Sequence, residues 1–538
     1  MPDEDSRRSK TRRQAVLVIH GMGEQVPLET MRSFVETVYE RDGGVRTGPA
    51  ESGRRNRVWS IPDTATGSAE LRKISTEPRS GDRLRTDFFE FYWADIMQGT
   101  PIEAVYEWLR GLILRSPWAV PRSARVWIAW LALWAVSIGL VLSVLATLDP
   151  SDGIAEALFK SWQGWLMAQA RWFGAALAGA AALWLVLSFL GARNRARVKV
   201  TLPVLLIGGG LVLLLAPVAT LENVKTWSGL FSLISATVLG GLIAPYLGDV
   251  VRYVRATPAT VDKRQRVRDR GLALLTALHD KTDGKGPDAP PYYERIIVVA
   301  HSLGTIIAYD LIQLYWQKVG PSHQIPAVPA LKAPLLEIDR FVADWWGKPE
   351  SERGDFPLDA FQAQQAAMFA ALVAGGVKFR ISDFVTMGAA LTHAEFLLQD
   401  DKAALERAFQ ERGLSASPPR PDLPSPRASY MLGKSGPFAH FAAPFSAVRW
   451  TNIYDLHWFP LLGDIVSGPL QPVFGPGIRE HRVTMVREGW LPVLNRLVTH
   501  TLYWTWQRRY DGLADDELPA HIKALREALQ LRGAAPPD

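Results

Sequence analysis

The sequence contains no cysteine. This absence excludes disulfide bonds, thiolate metal sites and a cysteine nucleophile. Phosphate-binding loops of the type G-x-x-x-x-G-K-[ST] are also missing, as are a G-x-G-x-x-G loop behind a strand and any His/Glu pattern at zinc-ligand spacing. The sequence therefore predicts neither a cofactor nor a metal.

The chain also lacks a strong charge bias and a secretory signal. Its 60 Lys and Arg against 54 Asp and Glu give a net charge of +6, which is small for 538 residues and indicates no nucleic-acid partner. The charged tail 1–14 is followed by an apolar run, 15–19, that is shorter than the ~7–15 residues of a signal-peptide core. A cytoplasmic N-terminus is therefore expected.

Charge is absent altogether from four long apolar segments, 126–148, 172–192, 200–221 and 227–247. Each reaches the ~20 residues that a helix needs to cross a bilayer. Basic residues flank the first span on its N-terminal side, fill the turn between the second and third, and follow the fourth. By the positive-inside rule, these flanks predict a multi-pass protein of an inner or plasma membrane, with both ends of the block and the remaining domain in the cytoplasm.

The rest of the chain alternates short apolar runs with helical patterns, which predicts an α/β fold with a mostly parallel sheet and helices on both faces. The predicted strands are 15–19, 87–93, 295–300, 378–387, 448–454 and 481–486, and the predicted helices include 28–40, 263–278 and 303–317. The predicted organisation is a tail at 1–14, a first domain part at 15–110, a transmembrane block at 111–252, a second domain part at 253–532 and a tail at 533–538.

The clearest local pattern is an apolar strand that runs into His301-Ser302-Leu303-Gly304-Thr305 and then a helix. It resembles the nucleophile elbow G-x-S-x-G of α/β-hydrolases, in which a strained strand-to-helix turn presents the serine. Ala300 stands where the pattern has its first glycine, and Gly304 is retained. The resemblance is to lipase-like and esterase-like members, and it implies that Ser302 is a catalytic nucleophile.

The same resemblance implies an oxyanion hole. One backbone donor belongs to the residue after the nucleophile, Leu303, and a second to a loop after an earlier strand. The segment beginning His20-Gly21-Met22 follows the strand 15–19 and is similar to the His-Gly loop of lipases, so Met22 is the predicted second donor. His20 and Gly21, with His301 beside the nucleophile, are predicted to line the substrate pocket, and His393 is a further candidate.

A serine hydroxyl needs a histidine to take its proton, and that histidine needs a carboxylate to orient it. In the family both partners follow the serine along the chain, the acid first. Asp464 lies in a loop similar to the acid loop of lipases and is the first choice, with Asp455, directly after the strand 448–454, as the alternative. Asp383 lies within a predicted strand and is expected to pair locally.

Three histidines follow Asp464, and His500 is the predicted base because it comes after the last predicted strand. His481 is the first residue of that strand, and a structural role is expected for it. His521 lies in a charged helical segment and is expected to be solvated.

These features predict a membrane-anchored serine hydrolase that cleaves carboxylic esters, with lipids or other membrane-partitioned esters as substrates. Two alternatives stay open: an amidase or thioesterase using the same triad, and a non-catalytic membrane protein with a scaffolding, regulatory or transport role. The sequence does not indicate an oligomeric state.

Overall fold

A computed structural model gives the fold of the chain. It describes residues 12–22, 27–45, 55–63, 72–77, 84–97, 260–286, 289–320, 329–420, 427–432, 434–457, 462–464, 466–489, 494–496 and 499–531, with isolated positions at 65, 114, 127, 130, 134, 250, 253, 254 and 258. The chain divides into two compact units, 1–129 with 245–538 and 130–244. All strands and helices given below belong to the first unit, and only Trp130 and Trp134 of the second are described.

The first unit is built on a sheet of eight described strands. In chain order these are β1 Arg13–Ile19, β2 Val58–Pro62, β3 Arg72–Thr76, β4 Arg85–Phe91, β5 Arg295–His301, β6 Ile381–Met387, β9 Arg449–Tyr454 and β10 Ile478–Arg482, while β7 Ser429–Leu432 and β8 Ser435–Ala439 form a separate antiparallel pair.

Across the sheet the strand order is β10-β9-β6-β5-β1-β4-β3-β2. All pairs from β10 to β4 are parallel, and only the edge formed by β4, β3 and β2 is antiparallel. The carboxyl ends of β1, β5, β6 and β9 therefore meet at one edge, which is where ligands bind in open α/β sheets.

Helices cover both faces of the sheet. They are α1 Glu29–Val35, α2 Val261–Asp280, α3 Gly304–Val319, α4 Lys332–Trp346, α5 Leu358–Ala374, α6 Ala394–Leu397, α7 Lys402–Gln410, α8 Gln471–Phe474 and α9 Ala520–Leu529. Along β5, Ile296 and Val298 pack into a core shared with α2 to α5, whereas Ile297 and Val299 face a second core shared with α1 and α9. This alternation is the two-residue period of a strand buried on both faces.

The predicted central strands agree with the structure to within a few residues. The predicted helix 28–40 is α1 followed by a π-helical turn, Glu36–Glu40, and the predicted strand 481–486 begins and ends earlier, as β10. The sequence did not predict β2, β3 or the hairpin of β7 and β8. Asp383, expected to pair locally, accepts a hydrogen bond from Ser382 Oγ at 2.6 Å, and it also pairs with Arg449 of the neighbouring strand β9 at 2.7 Å.

The prediction of an inserted bundle of four transmembrane helices requires correction. Within the described part of the chain, no helix combines the length and apolar character needed to cross a bilayer. The longest described helix, α2, carries charged residues over much of its length, and apart from Trp127, Trp130 and Trp134 the predicted spans lie outside the described residues. The prediction of a multi-pass protein in an inner or plasma membrane depends on this bundle and is therefore wrong as well. The structure supports a mixed α/β sheet.

The expectation that His521 is solvated was also wrong. His521 is 1% exposed, because α9 turns it inward together with Leu525 and Leu529, and neither ring nitrogen has a hydrogen-bond partner among the described residues. Burial lowers the pKa of His521 to about 4. Burial likewise lowers the pKa of His20 and His279 to about 4 and that of His301 to about 3.

These buried histidines predict that the fold loses stability in acid. Each is neutral in the folded state and has an ordinary pKa of 6.5, so the unfolded chain binds more protons as the pH falls below 6.5. The free energy of unfolding should therefore fall between pH 6.5 and 4, by ~1–3 kcal/mol for each histidine. Glu90 has the opposite effect on the free energy of unfolding, because burial raises its pKa from 4.5 to about 7. The folded state then binds the extra proton as the pH falls below 7, and this binding stabilises it.

Urea unfolding at pH 7.5, 5.5 and 4.5 measures this loss. His521→Leu should flatten the pH dependence, because it removes a proton-binding group that makes no hydrogen bond in the described structure. An identical pH dependence for wild type and His521→Leu would contradict the assignment.

Candidate functional site

The predicted elbow joins β5 to α3. Ser302 has φ 54°, which is a left-handed conformation. L residues adopt it at an energetic penalty, whereas achiral glycine does not pay this penalty. Its N–H donates to the Met387 carbonyl at 3.2 Å, and its carbonyl accepts from the Thr305 N–H at 3.0 Å. The strained turn is therefore fixed by β6 on one side and by the first turn of α3 on the other.

The loop after β1 lies directly against this serine. A Cβ placed on Gly21 would come within 2.7 Å of Ser302 Cβ and 3.4 Å of Ser302 Oγ, so only glycine fits there without a shift. Leu303 precedes the first residue of α3, where backbone N–H groups have no partner within the helix. Of the two predicted donor residues, Leu303 follows the serine directly in the chain, and Met22 follows Gly21, which lies against the serine.

His20 anchors this loop instead of opening into a pocket. It is 1% exposed, and its ring stacks on Trp93 with centroids 5.0 Å apart. Nδ1 donates to the Gly21 carbonyl at 2.9 Å, and Nε2 accepts from the Trp93 N–H at 3.4 Å. Burial lowers the pKa of His20 to about 4 and keeps the ring neutral, while the contacts support the turn at Gly21.

The structure brings together the predicted acid and base. His500 Nδ1 donates to Asp464 Oδ1 at 2.9 Å, and Asp464 is fully buried. Burial raises the pKa of Asp464, but the charge and hydrogen bond of His500, with hydrogen bonds from Tyr503 and Val466, outweigh it and hold the pKa below its ordinary value. Asp464 is therefore an anion that points at the histidine.

Asp455, the alternative acid, has a different set of partners. Its Oδ2 accepts from Thr499 Oγ1 at 2.8 Å and from the Met485 N–H at 3.1 Å. Burial raises the pKa of Asp455, although these hydrogen bonds act against the shift. Asp455 therefore holds the side chain of Thr499, the residue before His500, while Asp464 contacts the histidine ring.

His301 links the elbow to the same loop. Its Nε2–H donates to the His500 carbonyl at 2.8 Å, and the two rings lie with centroids 4.5 Å apart. Burial lowers the pKa of His301, and the nearby His500 lowers it further, so His301 is neutral at physiological pH. The predicted pocket residue is therefore packed against the base. His393 ends a half-buried turn, Ala390–His393, after β6.

Ser302 and His500 make no hydrogen bond with each other through their side chains. Ser302 Oγ and His500 Nε2 are both buried, and neither has a hydrogen-bond partner within the described residues. Asp455 Oδ1 is a third buried polar atom of this cluster that has no hydrogen-bond partner within the described residues. Unpaired polar atoms in a buried cluster are uncommon, and they make Ser302 Oγ and His500 Nε2 candidates for contact with a ligand.

Two further residues of the cluster were not predicted from the sequence. Gly388, with φ +56°, follows β6, and a Cβ there would lie 3.0 Å from both Asp464 Oδ2 and His500 Cε1. Tyr503 donates its hydroxyl proton to Asp464 Oδ2 at 2.7 Å. A glycine directly after a predicted strand was the available signal for the first, whereas only the fold reveals the second.

No group of three or more His, Asp or Glu side chains able to hold a metal occurs among the described residues. No family model, curated protein or solved structure matches the chain. The geometry of this cluster therefore carries the functional assignment proposed below.

The strained serine leads to a stability prediction. Ser302→Gly should be more stable than Ser302→Ala by ~1 kcal/mol, because only glycine adopts a positive φ without a steric penalty. Ser435, an exposed residue of β8, is the control position, and there glycine should be the less stable substitution. Urea unfolding of the four variants measures both differences, and a more stable alanine at 302 would argue against a left-handed Ser302.

Proposed function

We propose that the chain is a serine hydrolase of the α/β-hydrolase type that cleaves carboxylic esters through an acyl-enzyme. The main support is the 2.9 Å hydrogen bond from His500 Nδ1 to the buried Asp464, next to a serine in the left-handed conformation of an elbow. The parallel sheet and the close approach of Gly21 to Ser302 add to this support. The proposal involves no membrane anchor.

In the first half-reaction, Ser302 Oγ attacks the ester carbonyl carbon while His500 Nε2 accepts the hydroxyl proton. Donation from Nδ1 to Asp464 fixes the tautomer of His500 and leaves Nε2 free to act as the base. The Asp464 carboxylate then stabilises the imidazolium that forms. Because Asp464 has a lowered pKa, it stays ionised throughout.

The attack places negative charge on the carbonyl oxygen. The N–H groups of Leu303 and Met22 are the proposed donors to this oxyanion, one from each loop beside the serine. The imidazolium of His500 returns its proton to the leaving alcohol, which departs and leaves Ser302 acylated. A water molecule, deprotonated by His500, then attacks the acyl carbon. The bond from this carbon to Ser302 Oγ breaks, His500 returns the proton to Ser302 Oγ, and the acid is released.

Hydrolysis of p-nitrophenyl acetate and butyrate tests the proposal. Ser302→Ala should lower kcat/KM by at least ~10³-fold, because the acyl-enzyme cannot form without the hydroxyl. Ser435→Ala is the matched control and should hydrolyse as fast as wild type, because Ser435 is exposed on β8. Equal rates for wild type and Ser302→Ala would refute the catalytic role of Ser302 and favour a non-catalytic domain.

The two buried carboxyls should respond differently to amide substitution. Asp464→Asn should lower kcat by ~10³–10⁴-fold, since the amide neither fixes the His500 tautomer nor stabilises the imidazolium. Asp455→Asn should lower kcat less than ~10-fold, because its partners are Thr499 and the Met485 N–H and not the imidazole. The same ester assay measures both values of kcat. A greater loss of kcat for Asp455→Asn than for Asp464→Asn would indicate that Asp455, and not Asp464, is the acid of the triad.

A further inference from the structure

Tyr503 contacts the acid of the proposed triad at Asp464 Oδ2, the carboxylate oxygen that does not bond His500. Its ring is 1% exposed, and its Oη is 2.7 Å from Asp464 Oδ2 and 3.0 Å from Ser467 Oγ. Oη also accepts from the Asp455 N–H at 3.3 Å. A phenol has one proton, so Ser467 donates to Tyr503 and Tyr503 donates to Asp464.

Asp464 is therefore bonded at both carboxylate oxygens. Oδ1 accepts from His500 Nδ1 at 2.9 Å and from the Val466 N–H at 2.8 Å, and Oδ2 accepts from Tyr503. A carboxylate bonded only through Oδ1 could rotate about its last torsion and lose the histidine. The phenol prevents this rotation and also draws negative charge toward Oδ2.

We propose that Tyr503 is a positioning residue that fixes the Asp464 carboxylate against His500 and withdraws part of its charge from the imidazole. The proposal rests on the proposed function, because it assigns Tyr503 a role in the basicity of that triad. A carboxylate that shares its charge with a phenol attracts the imidazolium proton less strongly. Removal of the phenol hydroxyl should therefore strengthen the attraction of the Asp464 carboxylate for that proton.

Other charged or titratable groups border this cluster, and all of them remain when the phenol hydroxyl alone is removed. His301 lies with its ring centroid 5.8 Å from that of Tyr503, and Asp455 lies behind Thr499 with Arg496 at 4.0 Å. His457 lies beside Gly463, next to the acid. A difference between the wild type and a variant lacking only the hydroxyl therefore reports the hydroxyl itself.

Tyr503→Phe removes this hydroxyl and keeps the ring. The acid limb of the kcat/KM profile for p-nitrophenyl butyrate should move to higher pH by ~0.5 unit, and kcat on the plateau should fall ~10-fold with KM unchanged. Tyr309→Phe is the matched control, because Tyr309 is also buried and its hydroxyl bonds the Ser415 carbonyl at 2.7 Å. It should leave the pH profile of wild type unchanged.

A second measurement does not depend on activity. The Cε1–H resonance of His500, assigned by its loss in His500→Gln, can be titrated by NMR in wild type and in Tyr503→Phe. The titration midpoint should be higher in Tyr503→Phe. This result would support the role of Tyr503 even if no ester were cleaved, in which case the proposed function alone would fail.

Equal midpoints in the two proteins would overturn the proposal, even if esters were cleaved. A loss of kcat in Tyr503→Phe with an unchanged pH profile, and with a loss of stability equal to that of Tyr309→Phe, would also overturn it. Tyr503 would then have only a packing role.

Discussion

The parallel pairing of β1, β5, β6 and β9 is the constraint on which the candidate site depends. Parallel strands have their carboxyl ends at the same edge of the sheet. Residues that directly follow these strands are therefore close in space even when they are far apart in sequence. Gly21 follows β1, Ser302 follows β5, Gly388 follows β6 and Asp455 follows β9. The two alternating cores fix this register, because a slip of one residue would turn apolar side chains such as Val298 and Val299 to the wrong faces.

Burial then determines the chemistry of the cluster. A carboxylate removed from water needs several donors to stay ionised, and Asp464 obtains them from an imidazole, a phenol and backbone amides. Asp455 and Asp464 lie at the same sheet edge, yet different partners move their pKa values in opposite directions. His301 stays neutral because its burial disfavours the charged form of the imidazole. Opposite pKa shifts of neighbouring groups are a common property of catalytic sites.

Much of this arrangement follows from local sequence signals. The apolar run before Ser302 specified a central strand, and the elbow pattern located the residue with positive φ. The order of Asp464 and His500 along the chain gave the pair that the structure places at 2.9 Å. The roles of Tyr503 and Gly388 could not be predicted, because they depend on distances set by the packed fold.

The errors have physical reasons too. The prediction of four membrane helices rests on the length of apolar runs alone, and no helix of the described residues is long and apolar enough to cross a bilayer. His521 was assigned to solvent because its neighbours are charged, although its spacing from Leu525 and Leu529 marks the inner face of α9. The strand β2 carries little sequence signal, because none of its residues is buried and it lacks a continuous apolar run.

The central claim is that Ser302 is a nucleophile activated by His500. Incubation with a fluorophosphonate probe, followed by peptide mass mapping, tests it most directly, because the probe bonds covalently to activated serines. The account predicts one adduct, on Ser302, that forms much more slowly in His500→Ala. An unmodified wild-type protein, or an adduct on another serine, would contradict the account.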